Sequence, residues 1–490
     1  MKKRIIILTT LIIVSFGSCT NLDDEIIDGL PTSKFPENNS QIAAIPIPAY
    51  KALQSLTDWA GWWFAQELTG DGVVAPTRGE HWDDGGKWRA LHTHTWTNNT
   101  EAINSMWDHF YRGVFASNKA LDLLATFEQT DALKIVQAKL LVMRAFYYYL
   151  LIDNYGDVPY ITSSISAPEF PKKEKRATIF ASIVKDIEDA VVLIPEGGRN
   201  TSASQGMAYT LLAKLFLNAE VYTGTAQWAK AEEYCDKVIA LGYVLESDAL
   251  GPFVTNNENS LENIFTIPYD KENFTGFNLH MRTLHYNSNL TFNMVAGPWN
   301  GFAVTESHYN TYEDIDARKK GFLVGQQYDF SGKAINDGTT QQPLVFTVNI
   351  PALQMGDGNS EAEKLMSGAR VVKFEIENGA KDNLSNDFPL FRFADVLLMK
   401  SEAAVRQGKS GDEWINLVRT RAGVPNFTNV TLDQILAERG REMFWEAHRR
   451  QDLIRFGKFN NAWWEKPASS PDRNLFPIPQ WAIDANPNLN

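Results

Sequence analysis

The run from 132 to 151 constrains this chain most. Its residues are strongly apolar at helical spacing, and Gly156 followed by Pro159, in Tyr155-Gly156-Asp157-Val158-Pro159, stops it. Neighbouring stretches repeat the pattern. Ile103, Trp107, Phe110, Val114, Leu121 and Leu124 keep close to helical period across 101–127. Ile183, Ile187 and Val191 do so across 179–193, and 207–222 with 228–241 form a helix pair closed by Gly242. In that pair Leu215, Ala219, Tyr222 and Ala231 stand at the intervals of a tetratricopeptide unit, where small residues let two helices cross closely. The first half reads as several degenerate helix-turn-helix units forming a scaffold, with a generic helical bundle as the alternative.

Between about 243 and 388 the texture changes. Gly, Asn, Pro, Asp and Ser become frequent, and helical period is mostly lost. Short β-like runs occur at Asn263-Ile264-Phe265-Thr266-Ile267 and Leu344-Val345-Phe346-Thr347-Val348. Long irregular segments of this kind carry function or are disordered. The aromatics here are numerous enough to pack, which favours ordered functional loops. Helices return at 392–406, 412–421 and 432–448. The expected fold class is mainly α: a scaffold of tetratricopeptide-like helix pairs with long irregular loops and a few short β-hairpins.

Composition removes several functions. With 44% hydrophobic and 12% aromatic residues in 490, global disorder is excluded. A formal charge of -13 would repel a phosphate backbone, and the basic cluster His448-Arg449-Arg450 has acidic neighbours, so no nucleic-acid partner is expected. Two cysteines exclude a disulfide framework. Cys235, in step with Ala231, Tyr234 and Val238, reads as a small buried apolar residue.

The N-terminus reads as a secretory signal. Lys2, Lys3 and Arg4 precede an apolar run from Ile5 to Phe16, too short to span a bilayer as a mature helix. Gly17-Ser18-Cys19 resembles the lipobox of bacterial lipoproteins, which makes Cys19 the acylated new N-terminus; ordinary cleavage beside an incidental cysteine is the alternative. Buried acyl chains contribute about 0.8 kcal/mol per CH₂, so a multiply acylated cysteine anchors stably. The following Asn21-Leu22-Asp23-Asp24-Glu25 reads as a solvated tether and resembles the acidic export signal of surface lipoproteins.

Six segments then resemble the SusD/RagB family of outer-membrane nutrient-binding lipoproteins. They are Arg144-Ala145-Phe146-Tyr147-Tyr148-Tyr149-Leu150 with Tyr155-Gly156-Asp157-Val158-Pro159-Tyr160; Glu262-Asn263-Ile264-Phe265; and Arg392-Phe393-Ala394-Asp395-Val396-Leu397-Leu398-Met399 with Glu402-Ala403. Val418-Arg419-Thr420-Arg421-Ala422-Gly423-Val424 follows, then Glu438-Arg439-Gly440-Arg441-Glu442 through Arg450-Asp452-Leu453-Ile454-Arg455-Phe456-Gly457, then Phe476-Pro477-Ile478-Pro479-Gln480 with Asn486-Pro487-Asn488. The resemblance implies a SusD-like α-superhelix, no catalytic residues, and a seat on a SusC-like TonB-dependent outer-membrane transporter. It also implies capture of a glycan or similar nutrient, and an outer-membrane, cell-surface location through the lipid anchor. On this reading 1–18 is the signal peptide, 19–45 the acidic tether leading into the body, 46–242 the N-terminal helical region, and 243–490 the C-terminal region with a loop-rich insert and closing helices. The charges at Glu438, Arg439, Arg441, Glu442, Glu446, Arg449 and Arg450 crowd one expected helix, and like charges four apart there need compensating arginines, hence a buried or half-buried ion network.

Tryptophan places the expected ligand site. Of 14 in the chain, Trp59, Trp62, Trp63, Trp82, Trp88 and Trp96 fall in one stretch. Trp82 lies in a polar, Gly-rich loop with Arg78, Asp83 and Asp84. An indole stacks on the apolar C–H face of a sugar ring, while carboxylates, amides and arginine bond its hydroxyls. A second loop, Gly297-Pro298-Trp299-Asn300-Gly301, offers another such pair. The candidate ligand-binding residues are Trp82, Trp299, Asn300, Arg78, Asp83, Asp84 and, with lower weight, Asp71; Trp62, Trp63 and Trp96 are assigned to the core. The alternative is that these indoles only pack loops onto the scaffold.

Catalytic signatures are missing. There is no HExxH helix and no GxSxG elbow, and Gly408-Lys409-Ser410 lacks the first glycine of a phosphate-binding loop, Ala403 standing there. His92 and His94, with His81 near, have metal-compatible spacing but no third ligand fixed by it. No cofactor and no metal are expected. The leading function is glycan capture for a transporter; a secreted helical glycoside hydrolase and a purely structural transporter lid are the rivals.

Overall fold

Helix Asp131–Tyr155 runs through the middle of the scaffold, and every side chain from Val142 to Tyr155 is buried. It begins where the Thr130 hydroxyl accepts from Leu133 N–H, which satisfies one free donor of the first turn. Its length and hydropathy match a membrane span, but protein covers it. Of its four buried tyrosines, three donate to main-chain carbonyls, Tyr147 to Ala49 at 2.6 Å, Tyr148 to Ile161 at 2.8 Å, and Tyr155 to Ile103, while the Tyr149 hydroxyl accepts from the Gln451 amide at 2.7 Å. Unmet, each would carry the desolvation penalty of a buried polar group. Gly113, in the preceding helix Glu101–Leu124, leaves the space that the Tyr147 ring fills; a β-carbon there would collide with it.

The described residues are 39–198 and 200–490 of this computed structural model. The expected signal peptide, the acylated Cys19 and the first part of the tether lie outside them. Contacts divide the chain into Met1–Ile45, of which the short helix Asn39–Ala44 is described, and Pro46–Asn490, which holds everything below.

The helix pairs follow the sequence closely. Arg176–Val191 packs on Asp131–Tyr155, and Gln205–Leu217 packs on Trp228–Ala240. The Phe216 and Tyr234 rings stack at 5.5 Å between the latter two. The expected 207–222 helix is broken at Asn218, whose side chain turns back to donate to the Lys214 carbonyl. Cys235 is free and fully buried, as its spacing indicates, and burial pushes its thiol pKa up.

Phe393–Arg406, the helix of the third motif, packs against Trp228–Ala240, Asp412–Ala422 and Leu432–Glu442. It is fed by strand Phe388–Arg392, antiparallel to Asn263–Ile267. All the sheets formed by the described residues are two-stranded. The run 344–348 yields only Val345–Phe346, paired with Gly325–Gln326. The loop-rich insert is therefore ordered by short ladders and its own small core of Ile335, Leu344, Phe346, Leu365 and Met366.

The charged motif forms the expected ion network, but on a shorter helix. Glu438 meets Arg318 at 2.7 Å, Arg419 at 2.6 Å and Arg441 at 2.6 Å. Glu442 meets Arg392 at 2.7 Å, Arg318 at 3.0 Å, and Arg421. Glu262, from the second motif, pairs with Arg392 at 2.9 Å and Arg421 at 2.7 Å. The expected helix 432–448 is corrected: it ends at Glu442, Trp445 and Ala447 take positive φ of 69° and 64°, and a new helix spans Arg449–Arg455. Side chains replace the missing helical bonds. Lys373 donates to the carbonyls of Glu442 at 2.9 Å and Phe444 at 2.8 Å, and Ala447 N–H donates to Glu67 at 2.6 Å. Periodicity alone cannot show such a break, because its partners lie elsewhere in the chain.

Candidate functional site

A turn at Asp58-Trp59-Ala60-Gly61 opens the site. Ala60 holds φ at 50°, and the chain then enters helix Trp62–Leu68, whose side chains are all buried. Trp59 faces out and is 43% exposed. Its ring stands 5.2 Å from Phe64 and 5.4 Å from Trp88, so a packed aromatic floor fixes its orientation.

The Trp82 loop is set beside it by backbone and side chain together. Strand Thr77–Arg78 pairs in parallel with Gln354–Met355, and Arg78 exchanges main-chain bonds with His81 across a turn at Gly79. Trp82 and Asp84 then take left-handed φ of 59° and 42°, an uncommon conformation that the surrounding bonds must impose. Asp84 accepts the Trp88 indole N–H at 2.6 Å, and Asp83 pairs with Arg89 at 2.7 Å.

The third indole arrives from far along the chain. Trp299 N–H donates to the Met281 carbonyl at 2.7 Å, and the Trp299 carbonyl accepts the Trp82 indole N–H at 2.7 Å. Ring centroids of Trp82 and Trp299 lie 5.7 and 6.0 Å from that of Trp59. Three indoles from two distant loops and one turn thus share one rim, with Lys87 5.7 Å from the Trp59 ring and paired to Glu101 at 2.7 Å.

The expected contacts divide on this geometry. Trp82 and Trp299 come together, each partly exposed, with Asp83 and Asp84 beside Trp82. Arg78 and Asn300 do not reach solvent, and their direct role is corrected. Arg78 is 1% exposed, and its guanidinium donates to the carbonyls of Lys364 at 2.8 Å and Ser367 at 3.1 Å. Asn300 is 0% exposed; its amide donates to the Leu365 carbonyl at 3.0 Å and accepts from Arg370 at 2.8 Å. Both residues hold the insert under the tryptophan loops. Burial lowers the Arg78 pKa to about 10, which leaves it charged at neutral pH. Asp71 is held by a two-pronged pair with Arg449, at 2.7 and 2.8 Å, with part of its side chain still exposed.

Trp59 is the residue the sequence reading passed over. Its signal was present: it sits between Asp58 and Ala60-Gly61, a turn-prone setting unlike that of Trp62 and Trp63. Trp62, Trp63 and Trp96 are buried, as assigned, and Trp88 joins them. His92 and His94 serve the fold: His92 bonds the Trp464 carbonyl at 2.8 Å, and His94 bonds Thr69 and Ser469, each at 3.0 Å. Among the described residues, no group of three or more His, Cys, Asp or Glu could hold a metal ion.

Comparison with known proteins accords with this architecture. A model of the SusD family matches 261–490, and a second, for starch-binding proteins associating with the outer membrane, matches 72–217. The chain belongs to the SusD family. Among SusD relatives, the starch-binding protein SusD of Bacteroides thetaiotaomicron is 26% identical over 406 residues, covering 74% of this chain and 73% of that protein. The SusD fold is shared with solved structures. Surface glycan-binding protein A of the same organism, solved with laminarihexaose, superposes with a TM-score of 0.74 at 21% identity, covering 92% of this chain and 98% of that one. A SusD superfamily protein from Parabacteroides distasonis gives 0.75 at 19% identity, with 94% and 98% covered.

Proposed function

We propose that this SusD-family chain is a cell-surface lipoprotein that binds an oligosaccharide and hands it, unaltered, to a TonB-dependent outer-membrane transporter. The observation that carries the reading is the rim of Trp59, Trp82 and Trp299, three partly exposed indoles held by a common floor. Indole surface left in water on a rigid base suits the C–H face of a sugar ring. On this reading the solvent-facing Asp58, Asp83 and Asp84 beside the rim bond its hydroxyls, while Arg78 and Asn300 keep the loops in place. The names of the relatives support the same ligand class. Acylation at Cys19 supplies the anchor, and the acidic tether lets the body sit over its transporter.

Isothermal calorimetry of the acyl-free protein against starch, laminarin, xylan and pectin tests the binding step. One of these is expected to bind and to be recovered intact, and Trp59→Ala is expected to weaken it about tenfold. Full affinity in Trp59→Ala, Trp82→Ala and Trp299→Ala would refute the site; turnover of the glycan would refute the non-catalytic role. Labelled palmitate should enter the wild type but not Cys19→Ala, and the transporter should co-purify with the wild type from outer membranes.

A further inference from the structure

A chain of contacts leads on from Trp82. His81, its neighbour, brings its ring to 6.0 Å from that of Tyr286. Tyr286 in turn packs on the small core of the insert, Ile335, Leu344, Phe346, Leu365 and Met366. The outer end of the hairpin built on that core is the turn after Tyr328, which bridges to Ala334. There Tyr328 is 51% and Phe330 63% exposed. Leu290, 47% exposed, lies alongside, and its carbonyl accepts the Phe330 N–H at 2.9 Å. Asn287 ties the hairpin to the segment leading to Trp299 by accepting from Gly338 N–H at 3.0 Å.

This turn is rigid before any ligand arrives. The Asp329 carboxylate accepts from Ser331 N–H at 2.9 Å, Lys333 N–H at 2.9 Å and the Ser331 hydroxyl at 2.7 Å, and Gly332 N–H closes back on the Asp329 carbonyl at 2.9 Å. Two aromatic side chains stand out from a locked turn, next to an exposed leucine, where nothing in their own fold requires it. Single exposed apolar residues are ordinary, but a cluster of this kind marks a binding surface. A locked turn also loses little conformational entropy when a ring stacks on it.

We infer that Tyr328 and Phe330 form a second stacking platform for the glycan held at Trp59, Trp82 and Trp299. The ligand is then an extended chain that spans the rim from Trp59 through His81 and Tyr286 to Phe330. A mono- or disaccharide fills only the tryptophan end. The inference rests on the glycan reading of the tryptophan rim.

The test uses whichever of starch, laminarin, xylan and pectin binds the wild type, together with its disaccharide and its hexasaccharide, measured by calorimetry. The double variant Tyr328→Ala/Phe330→Ala is expected to bind the hexasaccharide about tenfold more weakly and the disaccharide as the wild type does. Trp59→Ala is expected to weaken both. Unchanged hexasaccharide affinity in the double variant, with Trp59→Ala still weakened, overturns the second platform and leaves the tryptophan site standing. If no glycan binds, or Trp59→Ala binds as the wild type does, the glycan reading fails and the second platform falls with it. Because Tyr328 and Phe330 are exposed, their removal leaves the core intact, and an unchanged melting curve verifies this.

Discussion

The indole nitrogen of Trp82 donates to the main-chain oxygen of Trp299 at 2.7 Å, joining loops 217 residues apart. Gly301, two residues on, makes the approach possible, since a β-carbon there would overlap the Trp82 ring. Trp82→Phe keeps an aromatic face but removes this donor. We expect a stability loss of about 1 kcal/mol, the usual value of one such bond. Glycan affinity should fall about fivefold as the Trp299 loop loosens. Calorimetry and urea unfolding on one preparation check both, and unaltered affinity would show that the bond does not organise the platform.

Trp59 and Trp63 lie four residues apart and should fail in different assays. Trp63 is fully buried, 4.7 Å from the Trp445 ring, so Trp63→Ala is expected to lose about 3–5 kcal/mol of stability. Trp59→Ala, which removes a half-exposed ring, should lower the urea midpoint much less than Trp63→Ala and reduce glycan binding. The reverse assignment of the two phenotypes would invert the proposed orientation of this turn.

Glu442 sits at the centre of the ion network, with Arg318, Arg392 and Arg421 around it. Glu442→Gln takes one counter-charge from each of these three buried guanidinium groups, leaving Arg421 with Glu262, Arg392 with Glu262 and Glu446, and Arg318 with Asp316 and Glu438. Breaking a buried pair from one side costs about 3–5 kcal/mol. We expect a loss of that order by urea unfolding, or failure to accumulate folded protein; wild-type stability would show that solvent reaches the network.

Acid should unfold the protein earlier than its charge suggests. Burial keeps six histidines neutral: it lowers the pKa of His92 and His280 to about 4, and of His94, His285, His308 and His448 to about 3. The unfolded chain takes up those protons near 6.5, so it binds more protons than the native state below that pH. The stability these rings confer is complete above about pH 6.5 and is lost as the pH falls towards 4. Glu67 and Asp387 work the other way: burial raises them to about 8 and about 6, so the fold holds their protons longer than the unfolded chain does. Two carboxyls do not offset six rings. The melting temperature should fall between about pH 6.5 and about pH 4.5; a flat profile there would contradict the buried neutral state.

Much of the scaffold was legible because its signals are local. Apolar spacing placed Asp131–Tyr155 and Trp228–Ala240 within a few residues, and Gly156 marked the stop. The ion network could be anticipated from like charges four apart, which demand arginines wherever those come from. The helix break after Glu442 could not, because Lys373, Arg392 and Glu67 capture the freed backbone groups from other parts of the chain.

By itself the sequence determined a helical scaffold, the family motifs and a tryptophan-rich edge, since each is written in residues close along the chain. Tertiary structure alone decided which polar and aromatic side chains meet solvent. Arg78 and Asn300 look like ligand contacts in a polar loop, yet the insert covers them, while Trp59 is left facing out. The physical reason is that exposure is set by what packs on top, and the segment that covers Arg78 lies more than two hundred residues away along the chain.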